Sequence, residues 1–408
     1  MVYRVICNLN TMNHSLLGKT LNLLEALVAF DTRSELSNLE LIAFVRDYLA
    51  SFGIESLLTY DARGEKANLY ATIGSSDRPG LCLSGHTDVV PADGQPWTVE
   101  PFALTRRGER VLGRGTADMK GFLAAVLASV PHFIARCQQA PIHLAFSYDE
   151  EVGCRGVRGL LSELAKMPFK PLACVIGEPS GMHVAVAHKG KRAYQCRVKG
   201  LAGHSALTHR GVNAVEFAVE LATFLRCIAR DRSLCGQLDE RFEPPHSTIH
   251  IGRFNGGTVL NVIPDHAEIE FEIRNLPGDD PDRILSAVRS YAERELVQAM
   301  RAVAPEAGIT WRELSDYPAL SPDVGSAWLR DLACELTGDA SLHALSFGTE
   351  GGLFQAIGIP AIVCGPGSIE QAHKADEYLE LEQLERCLEF LSRLAEQFPS
   401  RAGELVHV

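Results

Sequence analysis

A chain of 408 residues is long enough for two or three domains, and 46% hydrophobic against 22% charged residues describes a globular protein with ample core. The net charge of −12 argues against a nucleic-acid partner and suits a small polar or cationic ligand. Eleven cysteines, an odd number without any Cys-x-x-Cys pair and with Cys82, Cys174, Cys196 and Cys364 inside apolar runs, point to a reducing compartment.

No apolar run reaches about 18 residues, so no membrane span is expected. Met1–Asn10 holds too short an apolar stretch for a signal peptide, which leaves the cytoplasm as the expected location. Residues 1–12 follow no pattern, and Met12 offers an alternative start. Helical spacing of apolar residues predicts helices over 16–30 and 38–52, the second capped by Asn38. Strands follow at 68–73 and 81–83, then an apolar helix over 121–130 with Asp118 at its entrance. Strand 141–147, helix 156–165 and strand 172–176 complete an alternating β/α half, the pattern of a mostly parallel, doubly wound sheet.

Near Gly190 the texture changes. Residues 191–199 alternate, as a strand with one wet face does. A helix over 212–228, strands at 246–251 and 266–274 with a turn at Asn255-Gly256-Gly257, a helix from Pro281 to about 303 and a strand at 309–314 follow. The order β-α-β-β-α-β is that of a ferredoxin-like unit. It predicts an inserted domain over 190–315, with hinges at Gly190 and Leu320-Ser321-Pro322, between the halves 1–189 and 316–408 of an α/β domain. Helix 327–337, helix 351–357, strand 359–364 and helix 380–396 return to the α/β pattern.

Four apolar strands end in polar residues of one kind. The strand at 81–83 leads to His86 and Asp88, strand 141–147 to Asp149-Glu150-Glu151, strand 172–176 to Glu178, and strand 359–364 to a loop with His373. Ligands of open α/β sheets sit beyond the carboxyl ends of the strands, so these ends suggest one convergent site. Period-2 geometry puts His86 and Asp88 on one side, where the Asp88 carboxylate can fix the imidazole tautomer for a metal. His86, Asp118, Glu151, Glu178 and His373 offer three carboxylates and two imidazoles with no thiolate, a donor set for zinc, cobalt, manganese or iron. Five ligands exceed the three usual for one catalytic zinc and match two ions about 3.5–4 Å apart bridged by a carboxylate. Asp118, beside glycines that allow close approach, is the expected bridge. If Glu150 and Glu151 point to opposite sides of an extended backbone, one ligates and the other is free to act as a general base.

The motifs Ser84-Gly85-His86-Thr87-Asp88, Gly115 to Gly121, Asp149-Glu150-Glu151-Val152-Gly153 and Gly177-Glu178-Pro179-Ser180 together resemble those of the dinuclear zinc amidohydrolases and exopeptidases. This family includes acetylornithine deacetylase, succinyl-diaminopimelate desuccinylase and the aminoacylases, and the resemblance covers about 16–398. It implies that Asp118 bridges, that Glu151 and His373 complete one metal and His86 and Glu178 the other, that Glu150 is the base and that Asp88 orients His86. It also implies a cis peptide after Asp118. In the insert it implies that His204 stabilises the oxyanion across a homodimer and that Asn261 and Arg274 hold the substrate carboxylate. Three stretches, Phe271 to Gly278, Phe347 to Gly352 and Gly365 to His373, resemble the acetylornithine deacetylase branch most. Ala375 departs from the proline expected before Asp376.

The expected function is therefore metal-dependent hydrolysis of an N-acyl amino acid, acetylornithine in the first place, with two divalent ions, Zn2+ or else Co2+. A water activated by the metal attacks, and Glu150 serves as base. A cationic substrate side chain would want a carboxylate, for which Glu350 is a candidate. Deacylation of another acyl amino acid and dipeptide hydrolysis are the competing activities, and a non-catalytic metal scaffold is the competing class.

Overall fold

The computed structural model describes residues 15–138, 140–322 and 327–405, so the alternative start at Met12 lies outside the described residues. The chain forms two compact units. One comprises Met1–Ala187, Pro322–His343 and Thr349–Val408; the other comprises His188–Ser321 and Ala344–Gly348. Beside the expected insert of 190–315, the second unit is longer at both ends and takes in a short return segment.

The first unit is built on an eight-stranded sheet. Across it run Ser56–Tyr60, Ala67–Ile73, Ile142–Ser147, Leu81–His86, Ala173–Ile176, Ala361–Val363, Val184–His188 and Leu342–Leu345. The four middle strands, from Ile142–Ser147 to Ala361–Val363, are mutually parallel. Antiparallel partners flank them on either side. Every residue of Ile142–Ser147, Leu81–His86 and Ala173–Ile176 is buried, which requires cover on both faces and explains why these strands read as continuous apolar runs.

The helix Gly121–Arg136 is apolar around most of its circumference because it sits inside the fold. It packs against helices Leu16–Val28 and Leu381–Leu405. Together with the turn before it, the run Thr116–Arg136 is long and apolar enough to pass for a membrane span, but 83% of its apolar window is buried in the protein. Glycines set how closely its start approaches the sheet. A Cβ at Gly85 would meet Met119 Cε at 2.6 Å, and one at Gly177 would meet the Phe122 ring at 2.1 Å. Both glycines adjoin expected metal ligands, so the strand ends of His86 and Glu178 lie against the segment that carries Asp118.

The second unit is a four-stranded antiparallel sheet of Thr248–Gly256, His266–Asn275, Gly190–Lys199 and Gly308–Tyr317, in that spatial order. In chain order this is 2-3-1-4, which read from the other edge is the ferredoxin-like 4-1-3-2. Helix Ala214–Cys235 and the helical run 281–303 pack on it. Its core is separate, with Cys196, Val198, Leu221, Ile269, Ile273 and Val288 at its centre. The expected turn at Asn255-Gly256-Gly257 falls at the end of the strand Thr248–Gly256.

Asn38 occupies the expected cap position of helix Leu39–Ala50 but makes no capping hydrogen bond. Its amide is used elsewhere, donating to Ala67 O and Thr87 Oγ1 and accepting from Ala67 N. The side chain ties the helix to the strand Ala67–Ile73 and to Thr87, just past the strand Leu81–His86, instead. All ten described cysteines are free.

Candidate metal centre

The ends of the parallel strands, the turn 116–120 and the loop that carries His373 place four carboxylates and two imidazoles together, all within the first unit. His86 closes the strand Leu81–His86 and is 1% exposed; its Nε2 lies 2.9 Å from Asp118 Oδ1 and 3.6 Å from Glu178 Oε1. His373, half exposed, reaches the other oxygen: its Nε2 lies 3.4 Å from Asp118 Oδ2 and 3.0 Å from Glu151 Oε2. Asp118 thus turns one oxygen to each imidazole, as a bridging carboxylate must. Ligand atoms of His86, Asp118 and Glu151 lie within 4.8 Å of one another, as do those of His86, Glu150 and Glu178.

Glu150 and Glu151 share this centre for a reason other than strand alternation. Asp149 has φ of 55°, and Gly153 N and Cys154 N both donate to Glu150 O, so the acidic run is a tight turn. The expectation that the pair diverges from an extended backbone does not hold, and both carboxylates face the centre. Lys66 Nζ pairs with Asp149 at 2.5 Å and anchors the turn.

Asp88 acts differently from expectation as well. Its backbone carbonyl, not its carboxylate, lies 2.8 Å from His86 Nδ1 and sets the tautomer that leaves Nε2 for a ligand. The carboxylate is 3.6 Å from that nitrogen. It accepts instead from Ser34 Oγ at 2.7 Å, Glu150 N at 3.1 Å and Glu151 N at 3.3 Å. Asp88 therefore joins the His86 strand to the Glu150-Glu151 turn.

The electrostatics test whether a cation fits. Burial pushes the Glu150 carboxyl up to about 8 and that of Glu151 up to about 7, with neighbouring carboxylates adding to both. Burial and Asp118 push Glu178 well above the usual range. The imidazoles respond in the opposite sense. Hydrogen bonds to Asp118 and Glu151 lift His373 to about 10, and for His86 burial is outweighed by Asp118, Glu178 and Asp88. Asp118 stays below the carboxylate range; burial opposes this, but His373 and His86 overcome it. Four carboxylates (Asp118, Glu150, Glu151 and Glu178) thus crowd two imidazoles. Oxygen and imidazole donors with unneutralised charge suit divalent ions of the zinc type.

A supporting layer gave no signal in the sequence. Glu377 accepts from Gly115 N at 3.0 Å, Ala117 N at 2.9 Å and Asp118 N at 3.1 Å, cradling the turn before the cis Asp118–Met119 peptide. Arg114, 1% exposed, pairs with Glu377 at 2.7 Å and donates to Lys374 O, Pro91 O and Gln95 Oε1. Gln95 Nε2 donates to His373 O at 3.0 Å, and Asp376 accepts from Thr98. Arg114 also lies 5.0 Å from the Trp97 ring centre. Ala375, the departure from the family motif, sits in this loop and takes part in none of these hydrogen bonds.

The remaining expected residues fall in two places. Glu350 is 1% exposed in the first unit, its carboxylate held by Ser147 Oγ at 2.5 Å and Ser84 Oγ at 3.2 Å, and burial raises it to about 7. His204, Asn261 and Arg274 belong to the second unit. His204 caps a short 3-10 turn, accepting from Ala206 N at 3.1 Å, and Ser205 N donates to Asn261 O, so these two are neighbours. Arg274 lies further along, bonded through Nε to Glu272 at 2.8 Å.

With this geometry in view, similarity to known proteins assigns the class. Peptidase family M20/M25/M40 matches residues 82–397. Acetylornithine deacetylase of Proteus mirabilis is 33% identical over 380 residues, covering 91% of this chain and 92% of that protein. Acetylornithine deacetylase of Pasteurella multocida is 32% identical, covering 93% and 97%. The fold is shared with an M20 family metallo-carboxypeptidase of Sulfolobus solfataricus, at TM-score 0.72 and 16% identity, covering 95% and 100%. It is shared too with the YxeP protein of Bacillus subtilis, a dinuclear metal binding peptidase from the M20 family, at TM-score 0.60 and 17% identity, covering 94% and 98%. The chain belongs to the M20 family and is one of its hydrolases. Among its curated relatives are acetylornithine deacetylases, matched over nearly the whole length.

Proposed function

We propose that this hydrolase cleaves the acetyl amide of N2-acetyl-L-ornithine, giving acetate and L-ornithine for arginine biosynthesis in the cytoplasm. The observation that carries the reading is Asp118, whose two oxygens face one imidazole each inside a complete ring of oxygen and nitrogen donors. The near full-length likeness to acetylornithine deacetylases supports the substrate.

His86 and Glu178 would hold one divalent ion, Glu151 and His373 the other, and Asp118 both; Zn2+ suits these donors and Co2+ can replace it. Bound there, such ions polarise the amide carbonyl and acidify a water. Glu150 takes a proton from the attacking water and delivers it to the amide nitrogen as the carbon–nitrogen bond breaks. Asp88 keeps Glu150 in reach by holding its backbone N–H, and Cys154 Sγ lies 3.2 Å from Glu150 Oε1. His204 would stabilise the developing oxyanion in the site of a second subunit, with Asn261 and Arg274 binding the substrate carboxylate. We assign Glu350 to the recognition of a cationic side chain.

Steady-state turnover on a panel of acetylornithine, succinyl-diaminopimelate, other N-acyl amino acids and dipeptides tests the substrate. We expect kcat/KM for acetylornithine to lead by tenfold or more, which is about 1.4 kcal/mol of transition-state preference. A higher value for another compound overturns the substrate assignment. For the shared site, His204→Ala and Glu150→Ala proteins, each inactive alone, are mixed and allowed to exchange subunits. Roughly a quarter of wild-type activity should return, because about half the random pairs hold one complete site. No recovery after confirmed exchange rejects a shared site.

A further inference from the structure

A second group of metal-type ligands stands apart from the centre described above. His183 lies in the turn that follows Glu178, Asp339 follows the helix Ala327–Thr337, and His343 lies in the edge strand Leu342–Leu345. One ligand atom from each comes within 4.8 Å of the others. His183 Nδ1 is 2.8 Å from Asp339 Oδ2, and the His183 and His343 rings lie 4.8 Å apart at 44°. We propose that these three side chains form a third, peripheral binding site for a divalent ion that prefers imidazole, such as Zn2+.

Three features favour a ligand set over a simple ion pair. An ion pair between His183 and Asp339 needs only one imidazole, yet a second is placed against the first, and the His343 ring has no hydrogen-bond partner among the described residues. The carboxylate is pre-set: Asp339 Oδ1 accepts from Ser341 N at 2.8 Å, which leaves Oδ2 turned to His183. The supporting backbone is fixed too, since Ser180 Oγ donates to His183 O at 2.7 Å and Asp339 N donates to Thr337 Oγ1 at 3.4 Å. Two imidazoles and one carboxylate leave the fourth tetrahedral position to solvent.

One contact of the three compares directly with what an ion needs, and the other two are bounded by the 4.8 Å spacing. Tetrahedral ligands at about 2.0–2.1 Å stand roughly 3.4 Å apart. The 2.8 Å contact between His183 and Asp339 would therefore open by about half an ångström as the ion takes the place of their hydrogen bond, with the ring hydrogen of His183 carried on Nε2. Because His183 is five residues beyond Glu178 on the same turn, an ion here would also pin the far end of the segment that carries a ligand of the main centre.

Equilibrium dialysis against free Zn2+ stepped through the micromolar range, with the metal counted by mass spectrometry, tests the site. Wild type, His183→Ala and His343→Gln are compared, with circular dichroism to establish that each variant is folded. Wild type should saturate with one Zn2+ more per chain than either variant. Acetylornithine hydrolysis at low Zn2+ should stay unchanged in both variants. Both substituted residues lie outside the main centre, so failure of the substrate assignment leaves this count unaffected. Equal stoichiometry in all three proteins overturns the proposal. Loss of the ion in only one histidine variant overturns the three-ligand site.

Discussion

The two halves of the candidate metal centre rest on different supports. His86 closes a fully buried strand, with its tautomer set by the backbone two residues on and its neighbours Gly85 and Ser84 packed in the sheet. His373 stands half exposed in a loop, with φ of 61°, and is held from behind by Gln95, Arg114 and Glu377. A strand end places a ligand by packing, whereas a loop places it by a hydrogen-bonded scaffold. The first should tolerate changes in its polar neighbours, and the second should depend on them.

The largest effect tests the turn that serves both halves. Glu150→Gln keeps shape and removes the proposed base, so kcat should fall by on the order of 10² to 10⁴ with metal content retained. Purification without metal would make Glu150 a ligand and erase its separation from Glu151. The two imidazoles come next, compared in metal-stripped protein. His86→Ala leaves Glu178 buried without its partner and Asp118 with His373 alone, and should cost roughly 3–5 kcal/mol in urea unfolding. His373→Ala, at a half-exposed position, should cost about 1 kcal/mol or less. Equal losses would abolish the contrast. Glu377→Ala strips Arg114 of its partner and three backbone N–H groups of their acceptor, and should also cost roughly 3–5 kcal/mol.

The unequal legibility of the two halves has the same physical source. Continuous apolar runs ending in His or acidic residues announce buried parallel strands and the ligands at their ends, which is why His86, Glu178 and the acidic turn stand out. Alternating strands and a Pro281 helix start announce the ferredoxin-like sheet equally well. Arg114, Gln95 and Glu377 act over separations of 19 to 278 residues, and a carboxylate that accepts three backbone N–H groups leaves no local pattern. The divergence expected of Glu150 and Glu151 assumed an extended backbone, and the positive φ at Asp149 removed that assumption. The strand Ser56–Tyr60 leaves no signal either, because none of its residues is fully buried and its apolar and polar positions do not alternate.

The buried half has an acid weakness of its own. His143 lies in the strand Ile142–Ser147 that leads to Glu150, 3% exposed and stacked on Tyr70, with only Nδ1 partnered, by Thr72 Oγ1. Burial lowers its pKa to about 4. The unfolded chain, near 6.5, binds the proton more readily than the folded one. The resulting stability is fully present above about pH 6.5 and is lost as pH falls towards 4, by roughly 3 kcal/mol at most. His143→Gln should flatten the unfolding free energy across that window relative to wild type. Parallel pH curves for the two proteins would acquit His143.

The smallest effect is the most specific. Gln95 both accepts from Arg114 and donates to His373 O, so it connects the buried ion pair to the exposed ligand. Gln95→Ala leaves Arg114 its bonds to Glu377, Pro91 O and Lys374 O, and unfolding should move by about 1 kcal/mol or less. The His373 backbone loses its tether, and metal affinity on that side should fall about tenfold, the low end for changes behind a ligand. Gln95→Glu separates the two connections. Its carboxylate still accepts from Arg114 but has no N–H for His373 O, and its charge faces that carbonyl. If the scaffold positions the ligand, Gln95→Glu should keep wild-type stability and lose the His373-side ion as readily as Gln95→Ala. Wild-type metal affinity in Gln95→Glu would mean that the loop holds His373 without this bond, and the contrast between the two halves would reduce to burial alone.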